Sequence, residues 1–324
     1  MSSLIGTMTS CVDAGDPIDQ ETALAILTSD DATFDAILPL TTRVRERRAG
    51  KHLRLCSIVN ARSGMCTEDC AFCAQSAHFN VPSTQVFDLL DPDTIVDARD
   101  TAAQAPIAFF SVVTSGQTMT DEEVDRVIAT VQSSPAPSPH WCASLGCLTQ
   151  EQLTRLKDAG LHRYHHNLET SESFYPSICT THSYATRRQT VRDAKAVGLE
   201  VCCGGLLGMG ESLEQRVELA FEIAAEDVDA IPLNFLMAIP GTPLEHQTPM
   251  TPGEILRAVA MFRLVNPDIE IRIGGGRKHL GNLQPQLFLA GADGMLVGDL
   301  LTTTGQNVAQ DLDMLARLNL EPGR

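Results

Sequence analysis

The sequence predicts a (β/α)8 barrel, the TIM-type α/β fold, with a helical N-terminal extension. Three observations lead there. Eight short β-rich runs are each followed by a helical pattern. These units fill about 270 residues, close to the ~250 typical of such a barrel. No low-complexity tract or long linker divides them. An open doubly wound sheet is the rival, and the strand count favours the barrel. The expected division is residues 1–50 as the extension and 51–324 as the barrel.

Strands are expected at 53–60, 107–114, 141–145, 163–168, 200–206, 230–236, 269–273 and 294–297, where aliphatic and β-branched residues concentrate. Helical patterns occupy 92–104, 121–132, 149–159, 183–197, 212–226, 251–265, 280–290 and 306–318. Asp121, Thr149 and Thr251-Pro252 are start signals. Gly160 and Gly198 follow helix ends. "QSSPAPSPH" (132–140) reads as a helix-to-strand loop rather than a domain linker.

A hydrophobic content of 43% supports a sizeable core, and aromatics at 5% make it mainly aliphatic. The net charge of −17 argues against nucleic acid or an anionic membrane as partner. The basic stretch at 41–54 reads as a solvated helix face. No apolar run is long enough for a membrane span, and the N-terminus lacks a signal-peptide pattern. A cytoplasmic protein is therefore expected. Its ten cysteines should stay reduced, which points to metal or catalysis rather than disulfides.

Alternation within strands divides barrel residues between lumen and helix layer. Ile269, Ile271 and Ile273 suit the helix layer and send Glu270 and Arg272 inward. Arg163, His165, Asn167 and Glu169 share one face, with Tyr164, His166 and Leu168 on the other. Asn234 alternates with Leu233 and Phe235. A structural barrel core is filled with branched aliphatics, so polar lumen positions mark a site.

"CTEDCAFC" (66–73) places Cys66, Cys70 and Cys73 in one loop after the first strand. Zinc would need a fourth Cys or His, for which His78 would have to fold back. A ferredoxin-type cluster would need a fourth thiolate. Three incidental cysteines fit so tight an array poorly. The reading left is a [4Fe–4S] cluster with one iron open to a small molecule.

That spacing resembles the radical S-adenosylmethionine superfamily. Within it the chain is similar to the biotin synthase family over about residues 40–320, through "CTEDCAFCAQSAH", "WCASLGCL", "RYHHNLETS", "TTHSYATR", "VCCGGLLGMGE", "IPLNFLMAIPGTPL" and "GGGRK…LAGADGMLVGDLLTT". The resemblance implies radical sulfur insertion into dethiobiotin. S-adenosylmethionine would be the cosubstrate, and an auxiliary iron–sulfur cluster, [2Fe–2S] or a variant, would supply the sulfur. It further implies a homodimer served by an electron donor such as flavodoxin or ferredoxin, with no nucleic-acid or membrane partner. Another radical enzyme of the same barrel group and a non-catalytic iron–sulfur protein are the alternatives.

Carried over by position, Phe72, Glu169, Arg187, Gly208, Gly210 and Glu211 fall at cosubstrate-binding positions. Asn167 and Asn234 fall at positions facing the ureido ring. Cys142, Cys202 and Arg272 match auxiliary-cluster ligands. Two departures stand out: Ser111 occupies a ligand-cysteine position, and His165 replaces a third substrate-facing asparagine. Cys56, with Cys203, is the expected replacement for the missing ligand. Cys11, Cys147 and Cys179 match nothing and are expected to be structural.

Overall fold

In the computed structural model, residues 2–135, 137–301 and 305–323 are described. Three helices come first: α1 (Ser2–Ala14), α2 (Gln20–Leu27) and α3 (Asp31–Ala49). Asp19 and Asp30 cap α2 and α3 by accepting from the N–H groups of Thr22 and Thr33, both at 2.8 Å. Gly50, at φ +59°, ends α3. The basic stretch is solvated only in part: Arg43 and Arg47 are exposed, but two of its arginines are not. Arg45 is buried and donates to Gly50 O, and Arg48 pairs with buried Asp293 at 2.6 Å. The Arg48–Asp293 pair ties the extension to the barrel.

The barrel follows as β1 (His52–Arg62), α4 (Pro92–Ala103), β2 (Phe109–Thr114), α5 (Asp121–Ser133), β3 (His140–Ser144), α6 (Gln150–Asp158) and β4 (Arg163–His165). It continues with α7 (Tyr184–Ala196), β5 (Glu200–Cys202), β6 (Gly205–Leu207), α8 (Leu213–Ala224), β7 (Ala230–Phe235) and α9 (Pro252–Val265). The last elements are β8 (Glu270–Ile273), α10 (Gln286–Leu289), β9 (Gly294–Leu296), α11 (Val308–Arg317) and β10 (Glu321–Gly323). All ladders are parallel, and β9 closes on β1 through Arg54↔Gly294, Leu55↔Met295 and Cys56↔Leu296. β10 adds beside the start of β1. Counting β5 and β6 as one interrupted strand, the barrel has eight.

The interruption has its cause in the neighbouring strand. Ala230 O accepts from Cys203 N, so strand alternation aims the backbone of Pro232 at the same neighbour, where proline has no N–H to give. A Cβ on Gly204 would lie 1.9 Å from Pro232 O, so only glycine fits at the break. The expected strand 200–206 is therefore two short strands. β4 is likewise shorter than 163–168, because the chain leaves the ladder after His165 and returns in a single bridge, Glu169↔Gly205. The helix expected at 280–290 is a 3-10 segment, Arg277–Leu283, kinked at Gly281 and followed by the one-turn α10.

Capping boxes start four helices, at Thr120/Glu123, Thr149/Gln152, Ser212/Gln215 and Thr251/Glu254. Thr120, rather than Asp121, caps α5. The main core lies between strands and helices, with Leu55, Phe110, Tyr164, Val201, Leu233 and Ile271 wholly or almost wholly buried there. The extension completes it over α9: Ile18 N donates to Leu264 O, and Arg257 pairs with Asp31 at 2.7 Å. Among the described residues no helix is long and apolar enough to cross a membrane.

Candidate active site

The lumen opens at the C-terminal strand ends into a cavity of about 330 Å³. Its upper wall is the loop after β1. There Cys66 N donates to Gln75 O (3.0 Å), Ala77 N to Cys66 O (2.8 Å) and Cys73 N to Cys70 O (2.9 Å). The loop is thus wound on itself, and Cys66, Cys70, Phe72 and Cys73 all line the cavity. Burial pushes the Cys73 thiol up to about 11. Cys70 contacts Cys179, and that hydrogen bond draws Cys179 down to about 3 against its burial, with help from His182 and Thr181.

Arg187 and Glu169 form the wall next to this loop. Arg187 donates to Tyr175 Oη (2.8 Å) and Asn167 O (3.1 Å), lies 3.6 Å from Glu169, and has Nη2 4.0 Å from Cys70 Sγ. Burial opposes its charge, but Glu169 and Tyr175 hold its pKa above the ordinary value. Burial likewise pushes the Glu169 carboxyl up, against the pull of Arg187. Glu169 sits at φ +70°, a left-handed conformation that costs energy for a non-glycine residue. Leu206 N holds it there by donating to its carbonyl at 2.7 Å.

Asn167 and Asn234 reach the cavity, each with its carbonyl oxygen already accepting one backbone N–H. Asn167 Oδ1 takes Gly204 N (3.2 Å) and Asn234 Oδ1 takes Gly275 N (2.8 Å). Their Nδ2 groups make only longer contacts, 3.5 Å to Glu169 and 3.3 Å to Gly205 O. Those amides are fixed in orientation, and their donors can turn to a ligand.

Gly208 and Gly210, at φ +90° and +109°, shape the turn after β6 but do not line the cavity. Glu211 does not face it either. Its carboxylate accepts from Gly208 N and Met209 N at 2.7 Å and from Arg216 Nε at 2.8 Å. In this structure these three residues build the loop that backs the cavity.

Deeper in the lumen lies a second tier. Cys56 on β1, Cys142 on β3 and Cys202 on β5 surround Arg272, Arg163 and Glu270. Cys56 and Cys202 line the cavity, and Cys142 is buried directly against Cys56 with Phe109. Burial raises all three thiols, Cys56 to about 12, against the pull of the two arginines. Glu270 is drawn down to about 2, because Arg272, Arg163 and Arg54 together outweigh its burial. Arg272 Nη1, Arg163 Nη1, Ser111 Oγ and His165 Nε2 are buried without a hydrogen-bond partner among the described residues. Buried polar atoms without a hydrogen bond are costly, so this concentration is what a site for a polar group looks like. Three convergent thiols beside cationic side chains fit an iron–sulfur group.

Cys203 is excluded from that tier. It alternates with Cys202 and packs in the main core between strands and helices. Two cysteines expected to be structural are placed otherwise: Cys147 lines the cavity 3.8 Å from His166 Nε2, and Cys179 touches Cys70. Glu68, Gln75, His166 and His182 also line the cavity; they lie inside the quoted motifs but without an expected role. His166, expected on the helix-facing side, enters because the chain leaves the ladder after His165.

A closed parallel barrel with a three-cysteine loop at its C-terminal mouth defines a radical S-adenosylmethionine enzyme. Residues 62–223 match the model of the Radical SAM superfamily, and residues 232–321 that of the Biotin and Thiamin Synthesis associated domain. The chain is 50% identical to the biotin synthase of Maridesulfovibrio salexigens over 96% of its length and 95% of the relative's. It is 44% identical to that of Heliobacterium modesticaldum over 99% of its length and 98% of the relative's. The chain belongs to the biotin synthase family. In fold it is similar to methylornithine synthase (PylB), with a TM-score of 0.85 at 17% identity over 98% of this chain and 97% of that one. It is also similar to the [FeFe]-hydrogenase maturase HydG, with a TM-score of 0.85 at 13% identity over 100% and 76%.

Proposed function

We propose that this chain converts dethiobiotin to biotin by radical sulfur insertion between two saturated carbons. The observation that carries the reading is the two tiers of cysteines facing one lumen, with the cavity between them. Cys66, Cys70 and Cys73 hold a [4Fe–4S] cluster with an open iron. Cys142, Cys202, Arg272 and Cys56 hold an auxiliary iron–sulfur cluster. When bound, the first cluster supplies the electron that cleaves S-adenosylmethionine to a 5′-deoxyadenosyl radical, and the second supplies sulfur.

The chain's own residues bind, orient and exclude water. Arg187 offers its guanidinium to the cosubstrate carboxylate, and Glu169 accepts from the ribose hydroxyls. Phe72 covers the reacting end. Gly208, Gly210 and Glu211 keep the backing loop in place. Asn167 and Asn234 turn amide donors to the ureido carbonyl, and His165 reaches the same space from β4 with an unpartnered Nε2. Closure of the lumen over the bound molecules would limit quenching of a reactive intermediate.

Further parts of the proposal are an electron donor such as flavodoxin or ferredoxin, a homodimer, and a cytoplasmic location. The absence of a membrane-spanning helix among the described residues is compatible with that location. Residues 1–50 are proposed as an extension to a barrel domain at 51–324. The test is anaerobic reconstitution followed by dithionite or flavodoxin, S-adenosylmethionine and dethiobiotin. Biotin and 5′-deoxyadenosine are both expected. Deoxyadenosine without biotin would point to another substrate, and neither product would refute the enzyme reading.

A further inference from the structure

Behind the three-cysteine loop lies a set of polar side chains to which the steps above assign no role. Glu68, in the loop between Cys66 and Cys70, accepts from Thr181 Oγ1 at 2.6 Å and contacts His182 Nδ1. The same Nδ1 lies 3.3 Å from Cys179 Sγ. His182 Nε2 is 2.8 Å from the Tyr175 hydroxyl, which accepts from Arg187 Nε at 2.8 Å. Backbone contacts run alongside: Ala71 N donates to Ile178 O (2.9 Å), and Thr180 N to Asp69 Oδ1 (2.8 Å).

The direction of this chain follows from its donors. Arg187 can only donate, so the Tyr175 oxygen accepts from it, and the Tyr175 hydroxyl and His182 Nε2 share the next hydrogen bond. The Glu68 carboxylate can only accept, so His182 Nδ1 carries a hydrogen that faces it. Every link from Arg187 to the cysteine loop therefore has a hydrogen-bond partner, and the side chains of Glu68 and His182 are almost wholly buried. Such a connected buried network holds its members in one arrangement.

We infer that His182 is a positioning residue: through Glu68 it fixes the three-cysteine loop, and through Tyr175 it sets Arg187, so that the open iron and the S-adenosylmethionine carboxylate site keep one mutual geometry. This rests on the roles given above to Cys66, Cys70, Cys73 and Arg187. The Glu68, Cys179 and His182 donor atoms also lie within 4.8 Å of one another, as zinc ligands would. A zinc-bound His182 would also turn its Nε2–H to Tyr175, so zinc content separates the two readings.

The test uses the anaerobically reconstituted full chain as wild type, Tyr175→Phe, His182→Ala, His182→Asn and the Tyr175→Phe/His182→Ala double variant. Iron and zinc content, the EPR signal of the reduced cluster with and without S-adenosylmethionine, and the S-adenosylmethionine dissociation constant are measured. Every variant is expected to keep the cluster signal, with affinity weakened about tenfold in each single variant. The double variant should be no weaker than the weaker single, because both break one chain. His182→Asn can still donate to Glu68 but not reach Tyr175, so it should not restore affinity. Unchanged affinity in Tyr175→Phe, additive losses, or one zinc per chain that His182→Ala removes would each overturn the inference. Tyr175→Phe carries the test if His182→Ala does not fold. A wild-type cluster whose EPR signal ignores S-adenosylmethionine would overturn the underlying site assignment as well, and so is a distinct failure.

Discussion

Cys56→Ala separates a cluster ligand from an ordinary core thiol. The side chain is 2% exposed and packs against Ala108, Phe109 and Cys142. If it were only core, removing one buried sulfur would cost about 1 kcal/mol, by analogy with a buried methylene. That lowers the melting temperature by roughly 2–4 °C. If it is a ligand, the metal suffers far more than the fold. Even a ligand's supporting partner is worth about ten- to hundredfold in metal affinity, and a ligand more. Iron and sulfide per chain, measured after anaerobic reconstitution and desalting, should therefore fall by the auxiliary share while the share held by Cys66, Cys70 and Cys73 stays. Deoxyadenosine should still form, and biotin should not. Adding Ser111→Cys returns a thiol on the adjacent strand, since Ile58 of β1 pairs with Ser111 of β2, and should recover part of the lost iron. Unchanged auxiliary iron and sulfide in Cys56→Ala would refute the reasoning.

Three other outcomes are expected. Gly204→Ala puts a Cβ 1.9 Å from Pro232 O and should lower the urea midpoint by the equivalent of about 1–3 kcal/mol; an unchanged midpoint contradicts the account of the strand break. Asn234→Asp keeps an acceptor for Gly275 N but loses the amide donor, so the KM for dethiobiotin should rise about tenfold with the fold intact. An unaltered KM would remove Asn234 from the substrate site. Glu270 has its folded pKa near 2, below the ordinary 4.5, so its stabilisation is full above pH 4.5 and is lost as pH falls towards 2. The amount is about 3 kcal/mol. Urea titrations at pH 6 and pH 3 should show a smaller pH-dependent loss in Glu270→Gln than in wild type, and equal losses would contradict the assignment.

The barrel was legible because its signals are local and repeated. Aliphatic runs, caps such as Thr149 and Thr251, and glycines after helices each act within a few residues. The break at Gly204 was not, because it depends on Pro232 lying opposite in the neighbouring strand. The helix expected at 280–290 gave way for a local reason that apolar periodicity hides, the left-handed Gly281.

At the site, alternation separated Arg272, Arg163 and His165 from the helix-facing residues, but it misplaced His166, which lines the cavity beyond the end of β4. It also argues against Cys203, whose neighbour Cys202 already points inward. Glu211 misled for another reason: a carboxylate after glycines can serve a ligand or its own loop, and here two backbone N–H groups and Arg216 take it. Cys179 and His182 were invisible because their partners, Cys70 and Glu68, lie about a hundred residues earlier. Arg45 and Arg48 were misjudged likewise, since the burial of Arg45 and the pairing of Arg48 with the distant Asp293 leave no mark in a basic run.

The central claim is that the upper cysteines make the radical while the lower ones hold the sulfur that enters biotin. The most direct measurement is mass spectrometry of biotin made by protein reconstituted with iron and 34S-sulfide, in wild type and Cys142→Ala. The account predicts 34S-biotin from wild type, and deoxyadenosine without biotin from Cys142→Ala. Unlabelled biotin from wild type, or labelled biotin from Cys142→Ala at the wild-type level, would contradict it.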